Sequence, residues 1–149
     1  MGKGCFLNPH IDNSHNQDRS LFRTLNLLYY VTPNWEKSYG GNLELWDERV
    51  QSNIEIHSRF NRLVLMETHM RSWHSVNPIN FEGLSRCCVS NYYFSKKDPN
   101  KRKDTFHITA FQGRPDEPIK RVLSQADRLL RSGVRKVVRK GLGKKDTFK

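Results

Sequence analysis

The sequence predicts a mainly β protein of the sandwich or jelly-roll kind, followed by a C-terminal helix. Three observations predict it. About eight short stretches rich in β-branched, leucine and aromatic residues run from residue 3 to residue 111, separated by Gly, Pro, Asn and Ser turn signals. Several of them alternate cleanly with period two, as NLELW (Asn42 to Trp46) and SNIEIH (Ser52 to His57) do. Helical spacing enters only late, where Ile119, Val122, Leu123, Ala126, Leu129 and Leu130 recur three and four residues apart.

Taken in order, Lys3 to Pro9 reads as a short strand leading into a loop at His10, with Cys5 and Leu7 on one face. Residues 13–20 (NSHNQDRS) are polar and turn-forming. Phe22 to Val31 (FRTLNLLYYV) is dense in β-formers and reads as a buried or half-buried strand that Thr32-Pro33-Asn34 ends. Trp35 to Tyr39 connects it to Gly40-Gly41, the mark of a tight turn or a close backbone approach. Asn42 to Trp46 then turns Leu43 and Leu45 inward, and Ser52 to His57 places Ile54 and Ile56 on one face. Strands follow at Arg62 to Met66, at Trp73 to Ile79 up to Pro78, and at Arg86 to Phe94. Past the charged loop at Lys96 to Lys103, Thr105 to Phe111 forms the last strand. The helix spans Pro118 to Arg131, with Asp116 as its cap and Glu117 and Pro118 in its first turn. Its apolar stripe predicts packing on the sheet through Ile119, Val122, Leu123, Ala126 and Leu130.

A chain of 149 residues with 36% apolar content can bury one modest core. No apolar run reaches the length of a membrane span, and the N-terminus lacks the apolar region of a secretory signal, so no membrane role is expected. The three cysteines are odd in number, and two are adjacent, which does not suit a disulfide framework and predicts a reducing, cytoplasmic setting. The net charge of +11 is unevenly spread: residues 1–95 carry nine Lys/Arg against nine Asp/Glu, whereas residues 131–149 carry eight against one. This does not suggest a nucleic-acid-binding core. It leaves a basic tail that either serves solubility or docks an anionic partner.

The chemistry is concentrated in Asn8-Pro9-His10-Ile11-Asp12. Alternate residues of an extended segment share a face, so His10 and Asp12 can address one point. Two imidazoles and one carboxylate on one face, with other positions open, are what a non-haem Fe(II) oxygenase site requires. The second imidazole has to come from far along the chain, and His74, in Trp73-His74-Ser75-Val76, is the candidate over His69.

With those residues in place, the stretch from Gly4 to Phe94 resembles the Fe(II)- and 2-oxoglutarate-dependent oxygenases, in particular their prolyl 4-hydroxylase-like branch. HID (His10 to Asp12) resembles the family's proximal ligand pair. LLYYVTPNW (Leu27 to Trp35) with GGNLELW (Gly40 to Trp46) resembles the segment behind the cofactor, and FNRLVLMET (Phe60 to Thr68) its buried strand. WHSVNPI (Trp73 to Ile79) resembles the strand of the distal histidine, and Arg86 the basic residue that holds the far carboxylate of 2-oxoglutarate.

The resemblance implies a double-stranded β-helix (jelly-roll, cupin-like) domain over residues 1–112, with a C-terminal helix and basic tail over 113–149. Only nine residues precede His10, where the family carries a further strand and supporting helices, so the domain is either an N-terminally short member or a fragment of a longer product, with a sheet edge for the C-terminal strand and helix, or a second subunit in a homo-oligomer, to cover. His10, Asp12 and His74 are then the metal ligands and catalytic centre. Arg86 grips 2-oxoglutarate with a planar fork, Tyr30 donates a hydrogen bond to the same carboxylate, and Ser90 and Asn26 are further pocket candidates. The implied cofactors are Fe(II), 2-oxoglutarate as cosubstrate and O2, with ascorbate as a reductant. The implied reaction is hydroxylation of a C–H bond, first of a prolyl residue in a protein or peptide and otherwise of a small molecule, with release of succinate and CO2. The competing reading is a catalytically inactive jelly-roll module that docks an anionic partner through its basic tail.

Overall fold

The computed structural model describes residues 1–97, 107–127 and 130. Eight strands appear among them: β1 (Leu7–Ile11), β2 (Phe22–Tyr30), β3 (Leu43–Trp46), β4 (Asn53–Ile56), β5 (Arg62–Glu67), β6 (His74–Val76), β7 (Cys88–Ser95) and β8 (Ala110–Phe111). They form two antiparallel sheets, a five-stranded one in the order β4-β3-β6-β1-β8 and a three-stranded one in the order β5-β2-β7. This is the jelly-roll-like fold that the strand pattern predicts. His10 lies within β1 rather than in a loop after it, because the strand starts at Leu7 and ends at Ile11.

The interior divides in two. One part is an ordinary apolar cluster of Ile11, Val50 and Trp73, with Trp46 and Ala110 packed against it. The other part is polar: His10, Asp12, Asn26, Ser58, His74 and Arg86 are all buried. Buried polar groups are costly unless they are paired or reserved for a ligand, so the second region is where function has to be sought.

Two apolar surfaces remain uncovered. On β5, Leu63 and Leu65 are more than half exposed (53% and 58%), and Val89 and Tyr93 of β7 lie on the same outer face of the small sheet. Among the described residues, the C-terminal segment does not cover that sheet. Instead, β8 adds to β1 at the edge of the large one.

The helix, present at residues 118–127 and 130, corrects the packing expected of it. Ile119, Val122, Leu123 and Leu130 are 64–76% exposed, and Ala126 is exposed as well. The helix is held through its polar side: the Arg121 guanidinium donates to the carbonyls of Val50 (2.8 Å) and Arg49 (2.9 Å), and Gly113 approaches its first turn so closely that a Cβ there would lie 2.7 Å from Arg121 N. Its first backbone bond runs from Arg121 N–H to the Glu117 carbonyl, so Glu117, not Asp116, occupies the cap position ahead of Pro118. The basic stretch 131–149 lies outside the described residues, as do most of the Lys96 to Lys103 loop and the expected strand start at Thr105. No helix among the described residues is long and apolar enough to cross a membrane.

Candidate metal centre and cosubstrate pocket

β1 and β6 pair antiparallel, with His10 directly opposite His74. Residues opposed in such a ladder bring their side chains together on one face, and here the two ring centroids are 4.1 Å apart. Asp12, just beyond the end of β1, reaches the same point. One ligand atom from each of His10, Asp12 and His74 lies within 4.8 Å of the other two, and all three residues are buried.

The rings are also oriented alike. His10 donates its Nδ1–H to the Asn8 carbonyl (3.0 Å), and His74 donates its Nδ1–H to the Ser72 carbonyl (2.9 Å). Each bond fixes the tautomer that leaves an Nε2 lone pair free. Those Nε2 atoms face the two Asp12 oxygens at 3.9 and 3.8 Å. Burial, and next the neighbouring His10 imidazole, push the His74 pKa down to about 4, so His74 is neutral at neutral pH and available as a ligand.

Two further side chains hold Asp12. Asn26 on β2, expected in the cosubstrate pocket, donates instead to Asp12 Oδ2 (3.2 Å). Arg23 carries a guanidinium 3.7 Å from Asp12 Oδ1 and stacks it on the Tyr92 ring at 3.8 Å. Period-two counting from Asn26 puts Arg23 on the opposite face, but a register shift between Arg23 and Leu25 in the β2–β7 ladder turns it inward. Sequence alternation carries no sign of that irregularity.

Farther along β2, Tyr30 is fully buried beside Arg86, whose guanidinium carbon is 5.0 Å from the ring centroid. Burial raises the Tyr30 pKa, so its hydroxyl stays a neutral donor. That hydroxyl has no hydrogen-bond partner among the described residues. The Arg86 Nε donates to Ser58 Oγ (3.1 Å), which in turn donates to the Gly41 carbonyl (2.7 Å), and Arg86 Nη1 lies 3.5 Å from Met1 Sδ. Gly41 itself has a φ of +68°, and a Cβ on it would stand 2.7 Å from Arg86 Cδ, so the double glycine makes room for the arginine. Ser58 was not legible as part of the site. Ser90 pairs with Leu28 on the edge strand β7, where it is exposed and joined to neither Arg86 nor Tyr30 by a hydrogen bond.

Asn26 and Tyr30 lie four residues apart on one face of β2, roughly 13 Å at the usual strand rise. One marks the metal-ligand carboxylate, and the other marks a buried cation with an unpaired hydroxyl beside it.

The sequence model of the 2OG-Fe(II) oxygenase superfamily (2OG, 2-oxoglutarate) matches residues 1–94. The chain belongs to this superfamily. Membership carries the cofactor set Fe(II), 2-oxoglutarate and O2, and the donors just described suit it: two neutral imidazoles and a carboxylate for the metal, and a buried guanidinium with a free phenol for an acid. Similar proteins include prolyl 3-hydroxylase OGFOD1 of Mus musculus (30% identical over 77 residues, 48% of this chain and 14% of the relative) and of Xenopus laevis (33% over 76 residues, 48% and 15%). Hypoxia-inducible factor prolyl hydroxylase of Caenorhabditis elegans is 28% identical over 101 residues, 67% of this chain and 13% of the relative. The matched stretch is thus a small part of each of these relatives, and this oxygenase chain stands beside prolyl hydroxylases within the superfamily.

Proposed function

We propose that the protein is a 2-oxoglutarate-dependent dioxygenase that hydroxylates a prolyl residue in a protein or peptide, releasing succinate and CO2. The observation that carries this reading is the convergence of His10, Asp12 and His74 at one buried point, in a chain of this superfamily. When bound, Fe(II) supplies the activation of O2 that couples decarboxylation of 2-oxoglutarate to C–H hydroxylation.

The chain's own residues divide the remaining work. His10 and His74 present Nε2 atoms pre-set by the Asn8 and Ser72 carbonyls. Asp12 is the anionic ligand, steadied by Asn26 and Arg23. Arg86, held by Ser58, and the Tyr30 hydroxyl take the far carboxylate of the cosubstrate. The prolyl substrate is supported by the names of the similar proteins, which include a prolyl 3-hydroxylase and another prolyl hydroxylase, so the ring carbon attacked is to be read from the product. Three free thiols, Cys5, Cys87 and Cys88, fit a reducing, cytoplasmic setting.

The test is succinate release from 2-oxoglutarate with Fe(II), O2 and ascorbate present, together with a search for a one-oxygen mass gain in proline-containing peptides. Metal binding without any succinate, with or without peptide, would instead favour the inactive docking module. In that case binding to an anionic partner should disappear when residues 132–149 are deleted.

A further inference from the structure

The superfamily match ends at residue 94, yet residues beyond it touch the strands of both histidines. Beside His10, β8 pairs with β1 in the register His10 to Phe111 and Ile11 to Ala110, and Gln112 N–H donates to the Pro9 carbonyl (2.8 Å). The Phe111 ring stacks on the His10 ring at 5.4 Å, with 25° between their planes.

Behind His74 the contact is ionic. Ser75 and Glu44 are paired across β6 and β3, on the face opposite His74, because alternate residues of a strand point to opposite sides. Both are buried. The Arg114 guanidinium grips Glu44 with two nitrogens (2.9 and 2.6 Å) and donates to the Val76 carbonyl (3.2 Å). Ser75 Oγ donates to Glu44 Oε2 and accepts from Trp46 Nε1 (2.7 Å). Every donor in this knot comes from β3, β6 or Arg114.

A buried ion pair of this kind is weak evidence for stability, since desolvation offsets most of the attraction. Its best-attested use is to fix register. β6 is only three residues long and lies between β3 and β1. A metal site needs its ligands placed to within about half an ångström.

We propose that the segment from Ala110 to Arg114 braces the metal centre, with Arg114 as the positioning residue that sets His74 through Glu44 and Ser75. The brace rests on the reading of His10, Asp12 and His74 as metal ligands. Arg114 touches neither the metal nor the substrate. It fixes the strand from which one ligand projects, while β8 fixes the strand of the other.

The test uses the full chain with Co(II) as an O2-stable spectroscopic probe. The double variant Arg114→Met with Glu44→Gln removes both charges together and leaves no unpaired carboxylate. Ser75→Ala is a second variant that severs the link with a minimal change and serves if the double variant does not fold. Melting temperature without metal, Co(II) affinity and the Co(II) visible spectrum are read for each. In folded protein, Co(II) affinity should fall about tenfold, the low end for loss of a group supporting a ligand, and the spectrum should shift. Arg114→Lys should recover part of the affinity. Wild-type affinity and spectrum in the folded variants would overturn the brace. Failure of the unaltered protein to bind Co(II) would instead overturn the metal-centre reading on which it stands.

Discussion

His10 and His74 are opposed residue to residue in the β1–β6 ladder, and each ring is turned by the carbonyl two residues before it in the chain. The candidate metal centre therefore draws on one strand pair plus Asp12. His74→Ala should lower Fe(II) or Co(II) affinity by more than the roughly 10–100-fold typical of losing an outer-shell partner. Titration calorimetry under anaerobic conditions checks this, and an unchanged affinity removes His74 from the centre.

Arg86→Ala should weaken 2-oxoglutarate binding by about 2–5 kcal/mol, the range for truncating one partner of a buried charge pair. Metal affinity should stay the same. Tyr30→Phe should cost less, about 1 kcal/mol, because it deletes one neutral donor. Equilibrium binding of 2-oxoglutarate to the metal-loaded variants separates the two effects.

Gly41→Ala tests the room made for Arg86. The added methyl meets Arg86 Cδ at 2.7 Å in a backbone of positive φ, which by itself costs an alanine about 1 kcal/mol or more. Thermal stability and 2-oxoglutarate affinity should fall together while metal affinity holds. A variant with full cosubstrate affinity shows that Arg86 does not depend on the glycine.

The metal-free protein should lose stability as pH falls from about 6.5 toward 4. His74 is held neutral in the fold, with its pKa depressed to about 4 by burial and then by His10, whereas the unfolded chain takes up a proton near the ordinary value. The unfolded state thus binds more protons in this window, and stability rises with pH. His74→Gln should flatten the slope between these pH values in denaturant titrations. An identical slope in the variant assigns the acid sensitivity elsewhere.

The helix should respond to substitution as a surface helix. Val122→Lys and Leu123→Lys replace side chains that are about two-thirds exposed and should change stability by no more than about 0.5 kcal/mol. Arg121→Ala, which removes the donors to Arg49 and Val50, should cost about 1.5–3 kcal/mol. Chemical denaturation of the three variants decides the matter, and a large loss from Leu123→Lys would restore the packing expected from the helical stripe.

Much of this protein could be read from the chain alone. Local periodicity placed β2, β3 and β7 nearly to the residue, and HID and WHSV singled out the three side chains that converge at one buried point. What required the tertiary structure was each relationship that links distant segments or breaks a period. The facing of His10 and His74 is a matter of strand pairing. The inward turn of Arg23 follows from a register shift, and the bond from Asn26 to Asp12 joins β2 to the end of β1. Ser58 behind Arg86 and Arg114 behind Ser75 reach their partners across the fold, with no spacing to announce them. The helix is the plainest case. Its sequence determines that Ile119, Val122 and Leu123 share a face, since 3.6 residues make a turn. Whether that face meets the sheet depends on which way Arg121 anchors the helix, and Arg121 turned it outward.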